Sequence, residues 1–178
     1  MRIISGKHKG RRLEAPKKLP VRPTTDMAKE GLFNILSNRF DFFETSVLDL
    51  FSGTGNMSYE FASRGVPQIT AVDKNYHCVQ YISKTSTILD AGINVVKSDV
   101  FQYLEKTSLT ADLIFADPPY DFPLEKFQKI VDIVLEKNLL NPDGVLVIEH
   151  SKHTDLSKTT GFDEKRNYGN SVFSFFKN

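Results

Sequence analysis

The chain has 178 residues, 40% hydrophobic and 25% charged, which fits one globular domain with a core of its own. No apolar run approaches the roughly eighteen residues of a membrane span, and no apolar segment follows the basic N-terminus, so neither a spanning helix nor a secretory signal is expected. Net charge is only +1, but residues 1 to 30 hold nine Lys or Arg against three acids, and that imbalance points to a polyanion docked at one end.

The first fifteen residues read as two short strands around Gly6 and Gly10, a β-hairpin. KKLPVRPTTD follows, with prolines at 16, 20 and 23, and should be extended loop. Thr25 is placed to cap a helix over 26 to 38, with Asp26 and Glu30 near its positive end. Leu32, Phe33, Ile35 and Leu36 form its apolar stripe.

From Ser46 strands and helices alternate. SVLDLF, QITAVD, INVVKSD, ADLIFAD and GVLVIEH read as strands, with helices at 57 to 63, 75 to 90, 100 to 106 and 124 to 137. Strands apolar on both faces and separated by helices predict a mostly parallel sheet covered on both sides. The end differs. GFDEKRNYG and NSVFSFF flank a Gly169–Asn170 turn and predict an antiparallel hairpin, with Phe173, Phe175 and Phe176 in the core.

The first strand runs into Asp49-Leu50-Phe51-Ser52-Gly53-Thr54-Gly55. Gly53 and Gly55 allow a tight turn and a close backbone approach to a ligand. Asp73 closes the second strand, where an acid takes both hydroxyls of a ribose. Position 58 is Ser58, so the third glycine of the dinucleotide fingerprint is missing, and no phosphate-binding lysine motif is present. Both absences favour a nucleoside ligand without a pyrophosphate, such as S-adenosylmethionine, with Asp49 near its cationic methionine part. Asp99 is a candidate for the adenine amine, or for the cap of the short helix that follows, with Gln102 at the capping-box position. Phe101 lines an adenine pocket or fills the core.

Asp117-Pro118-Pro119-Tyr120 follows the fourth strand, at the edge where open α/β sheets bind ligands. The prolines fix the backbone and remove two amide donors. Asp117 and the Pro118 carbonyl are then two held acceptors, and Tyr120 is a flat face for a base. An exocyclic base amine is a poor nucleophile, because its lone pair is delocalised into the ring. Acceptors gripping its N–H bonds orient that lone pair and stabilise charge as it develops on nitrogen. Such a base must be flipped out or unpaired. A carboxylate has only acceptors, which suits guanine, with donors at N1 and N2.

With both motifs in hand, the chain resembles the bacterial methyltransferases that modify a guanine N2 in small-subunit (16S) ribosomal RNA. The resemblance rests on Met1 to Gly6 with Lys9-Gly10-Arg11, on Arg22-Pro23-Thr24-Thr25-Asp26 with Glu30 and Leu32-Phe33-Asn34, and on the two motifs above. It implies a Rossmann-like class I methyltransferase fold with a seven-stranded sheet, and an RNA-facing extension over 1–44 ahead of a methyltransferase domain over 45–178. It implies Asp117, Pro118 and Tyr120 as catalytic, and Asp49, Phe51, Gly53, Gly55, Asp73, Asp99 and Phe101 as the holders of S-adenosylmethionine. Arg2, Lys7, Lys9, Arg11, Arg12, Arg22, Thr24 and Thr25 would border the RNA. The substrate would be 16S rRNA within an assembled or assembling 30S subunit.

The chain departs from the family at Ser52 and Thr54, where alanine and serine are usual, and at Met27 and Lys29, where arginines are usual. The latter keeps one charge but loses a bidentate donor. A sequence-specific DNA amino-methyltransferase is disfavoured by the small size, which leaves little chain for reading base edges. A non-catalytic assembly module is disfavoured by the intact Asp117–Tyr120 segment, and a nicotinamide enzyme by the missing glycine. No metal is expected, since His8, His77, His150 and His153 lack ligand spacing. Cys78 is the only cysteine and is expected to be buried, in a reducing, cytoplasmic setting. The chain is expected to act as a monomer.

Overall fold

The computed structural model describes residues 1–16 and 24–178. Arg22 and most of the expected proline loop lie outside the described residues.

The strands are β1 (Ser46–Leu50), β2 (Gln68–Asp73), β3 (Asn94–Lys97), β4 (Ala111–Ala116), β5 (Leu140–Ser151), β6 (Phe162–Tyr168) and β7 (Ser171–Phe176). The helices are α1 (Asp26–Leu36), α2 (Asn56–Ser63), α3 (Tyr76–Leu89), α4 (Val100–Lys106) and α5 (Leu124–Glu136). One sheet forms in the order β3-β2-β1-β4-β5-β7-β6. β1 to β5 pair in parallel, and β7 runs antiparallel between β5 and β6. The chain order reverses between β1 and β4, which opens a crevice beyond their carboxyl ends.

Alternation along the strands builds two cores. Val47, Leu113, Phe115, Val145 and Val147 face α1 and α2, meeting Leu32, Phe33 and Phe61. Leu48, Ile114, Leu146 and Ile148 face the other way, onto Leu104, Phe127, Ile130 and Val134. Phe173, Phe175 and Phe176 are fully buried, and Cys78 is 1% exposed, as expected of them.

Two boundaries move. α1 ends at Leu36 rather than 38. β5 begins at Leu140, four residues early, across a register irregularity opposite Ala111 to Leu113. The expected N-terminal β-hairpin forms about the antiparallel Arg2–Arg12 bridge, with Met1 and Leu13 exchanging backbone bonds of 3.1 and 2.9 Å, the Ile3 amide bonding the Arg11 carbonyl at 3.0 Å and the Gly10 amide the Ile3 carbonyl at 2.8 Å. Its remaining donors turn outward. Ile4 and Ser5 amides bond the Glu60 carboxylate, and the Lys7 amide bonds the Ser63 carbonyl at 2.7 Å. The hairpin is stitched onto α2 as well as onto itself. Gly6 (φ +80°) permits this, for a Cβ there would lie 1.7 Å from the Ser63 carbonyl oxygen.

The charge that Lys29 keeps lies inside the molecule. Its ammonium is fully buried, 3.2 Å from a Glu60 carboxylate oxygen, and donates to the Arg2 carbonyl at 2.6 Å and to Asn56 Oδ1 at 3.0 Å. Burial pulls its pKa down, and Glu60 opposes that. Glu60 also accepts from Arg64 Nε at 2.8 Å. Removing one partner of such a pair leaves the other charge buried alone.

Glu60→Ala should therefore cost about 3–5 kcal/mol of folding stability. Urea unfolding checks this, and a loss under about 1 kcal/mol, the range of an exposed pair, would contradict it.

Candidate active site

One cleft of about 1050 Å³ opens at the carboxyl edge of β1, β2, β4 and β5. At its β1 end the turn begins with Phe51, a non-glycine residue at φ 56°. The Gly53 amide donates to Asp73 Oδ2 at 2.8 Å, and the Asn75 amide donates to Asp73 Oδ1 at 2.7 Å. These bonds fix the carboxylate, and each oxygen keeps a lone pair for a hydroxyl donor. Asp49 lies deeper, on β1, 1% exposed, accepting from the Ser58 hydroxyl. Burial pushes its pKa up to about 7; the Asp73 charge adds to this and the Ser58 bond opposes it. Ser52 Oγ is buried in the same wall without a hydrogen-bond partner among the described residues.

Asp99 caps α4, its Oδ1 accepting from the Phe101 and Gln102 amides. Beside it, Phe101 stacks on Phe122, with centroids 6.1 Å apart and planes 7° apart, and Phe51 meets Phe122 edge-on. This end of the cleft fits a nucleoside with a cationic tail. It offers carboxylates, an aromatic wall and a glycine turn, as S-adenosylmethionine requires.

The β4 end carries the other motif. Asp117 is partly exposed, Pro118 is buried, and Tyr120 stands 65% exposed at the mouth. Thr24, Met27, Glu149, His150 and the Tyr168–Ser171 turn complete the wall. Asp49, Phe51, Gly53, Asp73, Asp99, Phe101, Asp117, Pro118, Tyr120, Thr24 and Thr25 thus share one space.

Gly55 is not among the cleft residues. At φ +83° it precedes α2, and a Cβ there would come within 2.8 Å of the Tyr59 ring. Its place is explained by packing. Thr24 and Thr25 use their hydroxyls internally. Thr24 donates to Glu149 Oε2 at 2.7 Å, and Thr25 caps α1 through the Ala28 amide. Arg2, Lys7, Lys9, Arg11 and Arg12 are exposed on the N-terminal segment, outside the cleft; Arg2 pairs with Asp26 and Lys7 with Asp90.

Sequence reasoning missed Glu149, Phe122 and the hairpin turn as cleft residues. His150 is buried in the wall and bonds Ser174 Oγ and the Ser151 carbonyl, both at 2.8 Å. Among the described residues no group of three or more His, Cys, Asp or Glu is placed to hold a metal ion, and no helix is long and apolar enough to cross a membrane.

A protein-family model described as "Conserved hypothetical protein 95" matches residues 1–177. The chain belongs to this family. "Putative rRNA methyltransferase YlbH" of Bacillus subtilis is 32% identical over 185 residues, covering 99% of this chain and 98% of that protein. "Ribosomal RNA small subunit methyltransferase D" of Buchnera aphidicola is 30% identical over 150 residues, covering 84% and 75%. The solved structure of "Putative methyltransferase yhhF" from Escherichia coli superposes with a TM-score of 0.82 at 25% identity, covering 99% of this chain and 96% of that one. The architecture is the class I methyltransferase fold, and the family is one of rRNA methyltransferases.

The raised Asp49 pKa has a testable sign. Folded Asp49 holds its proton up to about pH 7, whereas the unfolded carboxyl releases it near 3.8. The stability this contributes is complete below the unfolded value and is lost as pH rises to the folded one. Asp49→Asn removes that titration. The stability of the wild type relative to Asp49→Asn should fall between about pH 4 and pH 7 and level off above. Denaturant melts across that range measure it, and parallel curves would refute the assignment.

Proposed function

We propose that the chain transfers a methyl group from S-adenosylmethionine to the N2 amine of a guanine in small-subunit ribosomal RNA. The observation that carries this reading is the single cleft joining the Gly53–Asp73 end to the Asp117–Tyr120 end. When bound, S-adenosylmethionine supplies an electrophilic methyl group on a sulfonium. Asp73 takes the ribose hydroxyls, Asp99 the adenine amine and Asp49 the cationic tail, with Phe51 and Phe101 along the adenine. The guanine enters past Tyr120 and stacks on its ring. Asp117 and the Pro118 carbonyl accept the two N2–H bonds and aim the nitrogen lone pair at the methyl carbon. As N–C forms and S–C breaks, positive charge grows on N2, and the Asp117 carboxylate stabilises it. The proton that N2 sheds passes to that carboxylate and then to water.

Residues 1–44 form the RNA-facing part on this reading. Arg2, Lys7, Lys9, Arg11 and Arg12 are exposed and lie outside the cleft lining, which suits them to phosphates while a base reaches inward. The Buchnera relative is named for small-subunit ribosomal RNA, which supports 16S rRNA as the partner; that the RNA is met on an assembled or assembling 30S particle is part of the proposal.

Nucleoside mass spectrometry of ribosomal RNA from cells with and without the gene should show one N2-methylguanine lost. Asp117→Asn replaces an acceptor with a donor facing the guanine donors. In single turnover on small subunits lacking the methyl group it should lose on the order of 10²–10³ in rate. Binding of S-adenosylmethionine should hold. A near-wild-type rate would remove Asp117 from this role.

Neutralising Arg2, Lys7, Lys9, Arg11 and Arg12 together should weaken RNA association and flatten its dependence on salt. Titrations at several salt concentrations read the slope. An unaltered slope would move the docking surface elsewhere.

A further inference from the structure

Glu149 has no part in the reading above, yet it stands at the acceptor end of the cleft. β4 and β5 pair with Phe115 beside Val147 and Ala116 beside Ile148. One more step in that register sets Asp117 abreast of Glu149. Leu113 and Phe115 pack on the α1–α2 face together with Val145 and Val147. By alternation Asp117 and Glu149 project from that same face. Neighbouring strands are about 4.8 Å apart, so both carboxylates reach one edge of one nucleobase. Glu149 is 7% exposed, and the Thr24 hydroxyl bonded to Oε2 fixes its orientation. A glutamate is seldom so buried unless a partner or a function holds it there.

We propose that Glu149 reads the N1–H of the guanine. Guanine specificity is then set by two carboxylates side by side, Asp117 on the reacting amine and Glu149 on the adjacent ring nitrogen. This assignment rests on the base-amine reading of the cleft. A carboxylate offers only acceptors. Guanine places two donor groups, N1 and N2, next to each other on one edge. Adenine, cytosine and 2-aminopurine place a bare lone pair beside the amine, and that lone pair would face the Glu149 oxygens. An acceptor set against an ionised acceptor in a buried site costs on the order of 10–100-fold in affinity.

The probe is 2-aminopurine riboside, which keeps the amine and lacks the N1 proton. Binding of guanosine and of 2-aminopurine riboside is compared on the full chain loaded with S-adenosylhomocysteine. The wild type should favour guanosine by on the order of 10–100-fold. Glu149→Gln, whose amide both donates and accepts, should shrink or invert that preference. Loss of fold would lower both affinities without inverting their order. Thr24→Val, which frees Oε2, should narrow the preference in the same direction. On small subunits lacking the methyl group, Glu149→Gln should slow single-turnover guanine methylation on the order of 10–100-fold, with S-adenosylmethionine affinity held. The wild type on those subunits tests the underlying reading by itself. If it forms no N2-methylguanine, that reading and the Glu149 assignment both fall. If it forms N2-methylguanine but Glu149→Gln leaves the nucleoside preference and the rate unchanged, the Glu149 assignment alone is overturned.

Discussion

The buried pair of Lys29 and Glu60 holds the molecule's two functional ends in one frame. Taking each ion out of water costs several kcal/mol, and the cost is offset only when every remaining donor and acceptor is used. Here the Glu60 carboxylate meets the Ile4 and Ser5 amides, the Arg64 guanidinium and the Lys29 ammonium. Lys29 in turn meets the Arg2 carbonyl and Asn56. Glu60 belongs to α2, Lys29 to α1, and the amides to the N-terminal segment. Three pieces of chain remote in sequence are thereby locked at one point. Asn56 is the first residue of α2, directly after the glycine turn. The basic segment and the glycine turn are therefore both anchored on α2, one through Glu60 and Ser63 in its second half and one at its first residue.

That pair also marks the limit of what the sequence makes legible. Periodicity is local, and it identified the five α-helices and seven strands of the described residues within a few positions, while the short 3-10 turn of helix at Phe42–Glu44 went unread. The glycine turn, Asp73 and Asp117–Tyr120 were legible because each lies beside a strand end, and parallel strands carry their carboxyl ends to one edge. Lys29 was not legible. In the sequence it shows only as a charge kept where the family usually has an arginine, and only the packing of α1 on α2 shows it fully enclosed. The N-terminal hairpin was legible, but where it docks was not. It closes on itself between Met1 and Leu13, while its Ile4, Ser5 and Lys7 amides find their acceptors on α2, in Glu60 and Ser63. Glu149 was hidden inside an apolar strand run, and its significance depends on the register between β4 and β5, which no single strand contains. Gly55 shows the reverse case. It sits in a ligand-binding pattern, yet its missing Cβ makes room for Tyr59.

The charge distribution of the cleft bears on what it admits. Asp49, Asp73, Asp99, Asp117 and Glu149 line it, with Lys74 and Lys126 as the cations among its described residues. A wall so rich in carboxylates repels phosphate, which agrees with the absence of a phosphate-binding motif at the glycine turn. It attracts cations and hydrogen-bond donors. The exposed Arg and Lys of the N-terminal segment have the opposite preference. A polynucleotide presents both kinds of group, phosphates along its backbone and donors on base edges. On the proposed reading the two surfaces divide it, since backbone charge is held outside and only a donor-bearing base edge is favoured within.

The same electrostatics bear on the order of events in the cleft. Burial, with a smaller push from the Asp73 charge, raises the pKa of Asp49 at the deep end of the cleft. A cationic ligand opposes that rise, since opposite charge within a few ångströms favours ionisation. On the proposed reading, once such a ligand fills the deep end, the acceptors left to be satisfied are those of Asp117 and Glu149, and a base must supply the donors. The acceptor end would then be most selective for a donor-rich edge when the cofactor end is filled. Selectivity and readiness to react would arise from one arrangement of acceptors, with no moving part required between them.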